Sequence, residues 1–332
     1  MKRLFLKTVV AAVALAAAGM APAQTRTIKF ANQNAKGHPI VLGMEKFAEL
    51  VDKKSAGRLK VQVFPGGVLG SDQANVSALQ GGTLEMASMN SGIFSSLVKD
   101  FAIYDFPFLF GNAREADAVV DGPFGQNLHK KLEDKGLVGL AYYELGFRQL
   151  TNSKRPIQKV EDIAGLKLRV IPSPINVDWV KALGANPTPL PFPELYAALE
   201  QKAVDGQENP VATIKGAKLN EVQKYMTITN HQYNPQSVVI SKKFWDQLPP
   251  ADQKILKEAA VESAQYERTQ SRAMLQSGLE DLKKSGMEVN ELSAAEVTKL
   301  REKMKPVIDK HSASVGEGTV QAMMAELAKL RK

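Results

Sequence analysis

Beyond the doublet Pro249-Pro250 the sequence keeps an uninterrupted helical pattern to about Lys284, where Gly286 ends it. At 1.5 Å per residue such a helix is roughly 50 Å long, more than one small domain needs. It is therefore expected to span two lobes. The length of 332 residues, 44% apolar and 23% charged, is that of an ordinary globular chain with core enough for two domains.

Both lobes read as α/β. Thr27 to Ala31 alternates as a strand, and Gly37-His38-Pro39 opens a helix with proline in its first turn. Ile40, Met44, Phe47, Ala48 and Val51 share one face of that helix, which Gly57 stops. Leu59 to Phe64 is a second strand. Ser71 caps the next helix with Asp72 in its first turn, and Leu84 to Met89 forms a third strand ending near Asn90. This alternation predicts a parallel sheet wound with helices. Phe101, Phe106, Phe108 and Phe110, around Pro107, lack helical spacing and read as core or interdomain packing, with a stacking platform as the alternative.

Leu137 to Tyr143 is a further strand, after which Phe147-Arg148 carries the chain into a second lobe. The alternation recurs there: a strand at Leu166 to Ile171, a helix from about Ile175 to Leu183, a segment Pro193 to Gln201 and a short strand near Ala203. Val238 to Ile240 is expected to return to the first lobe. Ser293-Ala294-Ala295-Glu296 is a capping box for a later helix, and Gln321 to Leu330 closes the chain. The expected boundaries are 24–146 with 235–273 for lobe I, and 147–234 with 274–332 for lobe II.

Residues 1–23 read as a cleaved secretory signal peptide rather than part of the fold. Lys2, Arg3 and Lys7 precede the apolar run Val9 to Ala18, and Ala21-Pro22-Ala23 is a small-residue cleavage site. The apolar run is too short to cross a bilayer, so a soluble periplasmic chain is expected. Without those three basic residues the formal charge falls from +8 to +5, enough to steer anions. Basic runs interleaved with aromatics are missing, so no nucleic-acid partner is expected. Cysteine is absent, so neither a disulfide framework nor a lipid-modified cysteine is expected.

The sequence carries no nucleophile elbow, phosphate-cradling glycine loop, dinucleotide fingerprint or paired-histidine zinc helix. His38, His129, His231 and His311 are scattered, so no catalytic residue, metal or cofactor is expected. Binding fits better than turnover. The residue best suited to binding is Arg169 in Gly165-Leu166-Lys167-Leu168-Arg169-Val170. Leu166, Leu168 and Val170 alternate with Lys167 and Arg169, and Pro172 and Pro174 break the strand just beyond. Arg169 thus lies near a carboxyl end, where open α/β sheets place ligand crevices, and its planar fork matches a carboxylate. A solvated edge-strand charge is the plainer alternative.

Three further stretches accompany it: Gly146-Phe147-Arg148-Gln149, Pro191-Phe192-Pro193-Glu194-Leu195-Tyr196, and Ala203-Val204-Asp205-Gly206-Gln207-Glu208-Asn209-Pro210, the last followed by Asn220-Glu221-Val222-Gln223-Lys224-Tyr225. In this order and spacing they resemble the solute-binding subunit of tripartite ATP-independent periplasmic (TRAP) transporters, of the dicarboxylate-binding DctP type. The resemblance runs from about Ile28 to the last helix. It implies a two-lobed periplasmic binding protein, class II-like, with a ligand cleft between its lobes. It also implies delivery of a small organic acid to a permease of a small and a large integral membrane subunit, driven by an ion gradient.

By the same resemblance, Arg169 makes a two-pronged salt bridge to the solute carboxylate, Arg148 helps hold that carboxylate, Asn209 donates to it, and Phe192 packs against it. Asn209 is alternatively a turn residue before Pro210, and Phe192 a hydrophobic staple before Pro193. Gln33 or Asn32, His38, Asp72, Asn90 and Gln236 match positions from which the first lobe contacts the distal part of the solute. His38 is alternatively a helix-entry residue and Asp72 a first-turn acid. Asp72 facing the cleft would favour a hydroxylated monocarboxylate such as a uronate; a charged His38 with Asp72 turned away would favour a C4-dicarboxylate. Two rivals remain at this level: a secreted hydrolase of a small anion, and a receptor that feeds a sensor kinase.

Overall fold

The structure, a computed structural model, describes residues 25–332, so the expected signal peptide at 1–23 lies outside the described residues. The first lobe is built on a five-stranded sheet. Its elements are β1 (Arg26–Ala31), α1 (Pro39–Lys54), β2 (Leu59–Phe64), α2 (Asp72–Gly81), β3 (Met86–Asn90), α3 (Ala113–Asp121), α4 (Pro123–Lys131) and β4 (Leu137–Phe147). The second lobe follows with β5 (Gln149–Asn152), β6 (Lys167–Val170), α5 (Pro174–Ala182), β7 (Asn186–Pro189), α6 (Leu195–Glu200), β8 (Gly206–Asn209), α7 (Val211–Gly216) and β9 (Tyr225–Ile228). The chain then returns as β10 (Tyr233–Ser241), a short α8 (Lys242–Trp245), the long α9 (Pro250–Lys284), β11 (Glu288–Glu291), α10 (Ala294–Val315) and α11 (Glu317–Leu330).

The first sheet has the order β2-β1-β3-β10-β4. Parallel winding holds where the sequence predicts it, β1 pairing parallel with both β2 and β3. The sheet as a whole is mixed, because β10 runs antiparallel to β3 and to β4. The cause is topological: β10 is the strand on which the chain comes back from the other lobe. The second sheet has the order β11-β9-β5-β8-β6-β7. The strand expected near Ala203 forms three residues later, at Gly206, so Asn209 belongs to a strand rather than a turn. Its predecessors Leu166, Leu168 and Val170 are buried as the alternation requires, while Lys167 is exposed.

Three passages join the lobes: β4 to β5 through Arg148, β9 to β10 through Asn230-His231-Gln232, and α9. The long helix packs on α1 and β4 at one end and on α7 at the other, as its length demanded. Its crossing of α1 is close enough that a Cβ on Gly43 would lie 2.7 Å from Glu267 Cβ. The aromatic run is core: Phe101, Phe106 and Phe110 are buried, and Phe110 meets Tyr233 edge-on at 5.6 Å. The segment 274–332, assigned from sequence to the second lobe, packs on both. Its β11 joins the second sheet, whereas α11 lies against α3 and α4 of the first. Among the described residues no helix is long and apolar enough to cross a membrane.

Candidate functional site

Where the carboxyl ends of β1, β3 and β6 face one another, a cleft opens between the lobes. Residues of both lobes border it: Gln33, Asp72, Asn90 and Gln236 from one side, Arg169, Phe192, Asn209 and Thr213 from the other, with Arg148 at the crossing.

Arg169 is 2% exposed, with its stem between apolar neighbours on β6. Its Nε donates to the Leu190 carbonyl at 2.8 Å, which orients the fork, and the guanidinium carbon stands 5.9 Å from the centre of the Phe192 ring. No carboxylate forms a salt bridge with it among the described residues. Burial, aided by the neighbouring charge of Arg148, lowers its pKa to about 10, so it still carries its charge at neutral pH. A buried cation without a salt-bridge partner among the described residues can offset its desolvation by taking up an anion.

Arg148, wholly buried, is in a different condition. Its Nε and Nη2 donate to the Glu208 carboxylate, Nη2 also to the Glu208 carbonyl, and Nη1 to Asn234 Oδ1 at 2.8 Å. Of five N–H donors one remains for a ligand. His231 Nε2 approaches the same carboxylate at 3.3 Å. Burial would push the Glu208 carboxyl up, but the charge and hydrogen bonds of Arg148 and His231 hold it down to about 2. The pair therefore contributes no net charge to the cleft.

Asn209 donates through Nδ2 to Gln207 Oε1 at 2.6 Å, the first link of a chain through Thr151 to Gln223 that fixes its rotamer. On the opposite wall four buried polar atoms have no partner among the described residues: Gln33 Oε1, Asp72 Oδ1, Asn90 Nδ2 and Gln236 Oε1. Burial pushes the Asp72 carboxyl up to about 7, against the Asn90 backbone hydrogen bond and the charge of Arg169.

Eight of the residues singled out in the sequence thus border one cleft. Asn32, the alternative to Gln33, is engaged elsewhere, donating to Ser88 O at 2.7 Å and accepting the Asn34 N–H at 2.7 Å. His38 lies beside the cleft rather than on its lining: it caps α1, with Nδ1 accepting the Ile40 N–H at 3.2 Å. Burial drives its pKa down to about 3, so it is neutral. Two functional residues escaped sequence reading. Glu208 sits inside a motif noted there, but its capture of Arg148 depends on the pairing of β8 with β5; Thr213, on α7, carries no local signal.

Two α/β lobes around a buried guanidinium that has no salt-bridge partner among the described residues form a cleft suited to a small anion. The chain belongs to the DctP family of bacterial extracellular solute-binding proteins, family 7, whose model matches residues 30–314, and within it to the solute-binding subunits of TRAP transporters. It is similar to a TRAP periplasmic solute-binding protein from Ochrobactrum anthropi, 57% identical, whose crystal structure has the C-terminus bound in the ligand-binding pocket. That match covers 93% of this chain and 97% of that one, with a TM-score of 0.83. The sugar acid binding protein DctPAm from Advenella mimigardefordensis, in complex with galactonate, is 41% identical with a TM-score of 0.91, covering 92% of this chain and 99% of that one. The 2,3-diketo-L-gulonate-binding periplasmic protein YiaO of Escherichia coli is 37% identical over 275 residues, 83% of this chain and 84% of the relative.

Proposed function

We propose that this receptor works in the periplasm, captures a hydroxylated organic acid and delivers it to the small and large membrane subunits of a TRAP permease. The observation that carries the reading is Arg169: buried, charged, without a salt-bridge partner among the described residues, and in a cleft whose other wall holds three unpaired acceptors and one unpaired donor. The carboxylate of the ligand bridges to the two terminal nitrogens of Arg169, with Asn209 and the remaining N–H of Arg148 beside it and Phe192 over its α-carbon. Charge-assisted bonds of this kind contribute roughly 1.5–3 kcal/mol each.

The opposite wall supports a sugar acid over a C4-dicarboxylate. Hydroxyls donate to Asp72, Gln33 and Gln236 and accept from Asn90 Nδ2, whereas a second carboxylate only accepts and would meet one unpaired donor among three unpaired acceptors. The sequence made a charged His38 and an averted Asp72 the condition for a dicarboxylate; a neutral His38 and an Asp72 on the cleft favour the other branch. Galactonate and 2,3-diketo-L-gulonate, named for two relatives, are polyhydroxylated monocarboxylates.

Capture requires closure. Contacts from both walls exist together only when the lobes meet, so binding shifts the population toward the closed form. The lobes proposed are 24–146 with 235–273 and 147–234 with 274–332, moving about the two strand crossings and α9. A thermal-shift screen of aldonates, uronates, keto acids and dicarboxylates tests the reading, since a ligand raises the melting temperature by mass action. Stabilisation by hydroxylated acids above succinate is the expected result; depletion of a candidate by catalytic amounts of protein would favour the hydrolase instead.

A further inference from the structure

At the edge of the ligand cleft, which Thr213 borders, the two lobes touch through a buried polar pair. His38 Nε2 lies 3.2 Å from Thr213 Oγ1 across the lobe interface, and both side chains are buried. Gly216, one turn along α7, closes over the same ring, so that a Cβ there would lie 3.7 Å from His38 Cδ2. The geometry fixes the tautomer. Nδ1 accepts the Ile40 N–H and so bears no proton, which leaves Nε2–H to donate to the Thr213 hydroxyl. An imidazolium would turn a second N–H against that amide, donor to donor, at the positive end of α1.

Among the described residues no charged side chain forms a hydrogen bond or salt bridge with His38. The first turn of α1 holds no acidic residue, and Lys215, beside Thr213 on α7, is paired with Asp281 of α9. Asp72 is influenced by Asn90 and Arg169, and burial lowers the pKa of the His38 ring.

We propose that the His38–Thr213 hydrogen bond is a latch between the lobes that holds only while His38 is neutral, so that acidification opens the receptor. The inference rests on the reading of this protein as a closing receptor. Its sign follows from linkage. With the pair made, as in this structure, burial keeps the ring's pKa down at about 3, whereas with α7 withdrawn the ring meets water and titrates nearer its ordinary value. Protons therefore bind the open form preferentially. The latch acts in full above about pH 6.5 and weakens as pH falls, by up to about tenfold in the closed-to-open ratio per unit.

The absence of native cysteine allows a direct test on the ligand-free protein. Spin labels at exposed Glu45→Cys and Lys218→Cys report the distance between the lobes from pH 8 to pH 5. The expected result is a closed-to-open ratio that falls about tenfold between pH 8 and pH 5.5 with His38 present. It should be nearly flat in His38→Asn, which keeps a capping side chain but cannot titrate. Thr213→Val should open the protein at pH 8, and Thr213→Ser should restore closure. Identical pH profiles for wild type and His38→Asn, or an unchanged distance in Thr213→Val, would overturn the latch. Because Asp72 and Asp105 are also pushed up to about 7, the deciding quantity is the ratio between the two chains, in which those contributions cancel. The galactonate affinity of each chain separates the failures: binding without a His38-dependent profile removes the latch alone, whereas acid-driven opening in a protein that binds no organic acid removes the ligand reading alone.

Discussion

Two arginines border the cleft, and their partners decide what each can do. Arg148 is held by Glu208 and Asn234, while Arg169 has a backbone carbonyl and an aromatic ring. Glu208→Gln should therefore damage stability more than affinity, because removing one member of a buried ion pair costs about 3–5 kcal/mol. Urea unfolding at pH 7 measures it. The pH dependence follows the same group. A folded pKa of about 2 lies below the unfolded value, so the contribution of Glu208 is present above about pH 4.5 and lost as pH falls toward 2. Wild type and Glu208→Gln should accordingly converge in stability across that interval. Asp72 has the opposite sign, its pKa being raised to about 7 by burial. Asp72→Asn should melt higher than wild type at pH 8 and bind hydroxylated acids more weakly. At this scale Arg169 was legible, since strand alternation and its place before Pro172 put it at a sheet rim. The neutralisation of Arg148 was not, because it joins residues 60 apart in sequence through a strand pairing that no local pattern encodes.

Elements were legible in proportion to their periodicity. The α9 pattern ran for 35 residues and gave both its ends and its role as a span. α3, α4, β5, β9 and β11 passed unnoticed: the strands are four residues long, and the two helices are separated only by Gly122. β4 and β10 proved longer than their apolar cores, since their ends carry buried polar residues: Glu144 accepts from Tyr233 and Arg272, Asn234 accepts from Arg148, and Gln236 borders the cleft. Gly43 marks a close contact between elements, α1 against α9. Gly43→Ala would press a methyl within 2.7 Å of Glu267 Cβ, and overpacking of this sort costs about 1–3 kcal/mol. Thermal unfolding should show it as a lowered melting temperature with little change in affinity per folded molecule.

For the whole molecule, charge and closure are one problem. With Arg148 and Glu208 cancelling, the cleft offers one positive group to one carboxylate, and the opposite wall completes the site only when the lobes come together. Removal of ligand should thus both lower the melting temperature and widen the lobe separation, two changes that track each other across a ligand titration. The two-lobed architecture followed from a helix too long for one domain, and the cleft from the carboxyl end of β6. Which residues of the far wall face the ligand depended on how α1 and α2 meet β10, and there the sequence left Gln33, Asn32 and His38 undivided. Calorimetric titration of wild type and Arg169→Ala with galactonate, glucuronate and succinate tests the central claim most directly. Expected are saturable one-site binding that favours the hydroxylated acids, and a loss of roughly a hundredfold or more in Arg169→Ala, about 3 kcal/mol at tenfold per 1.4 kcal/mol. An Arg169→Ala protein that binds as tightly as wild type would contradict it.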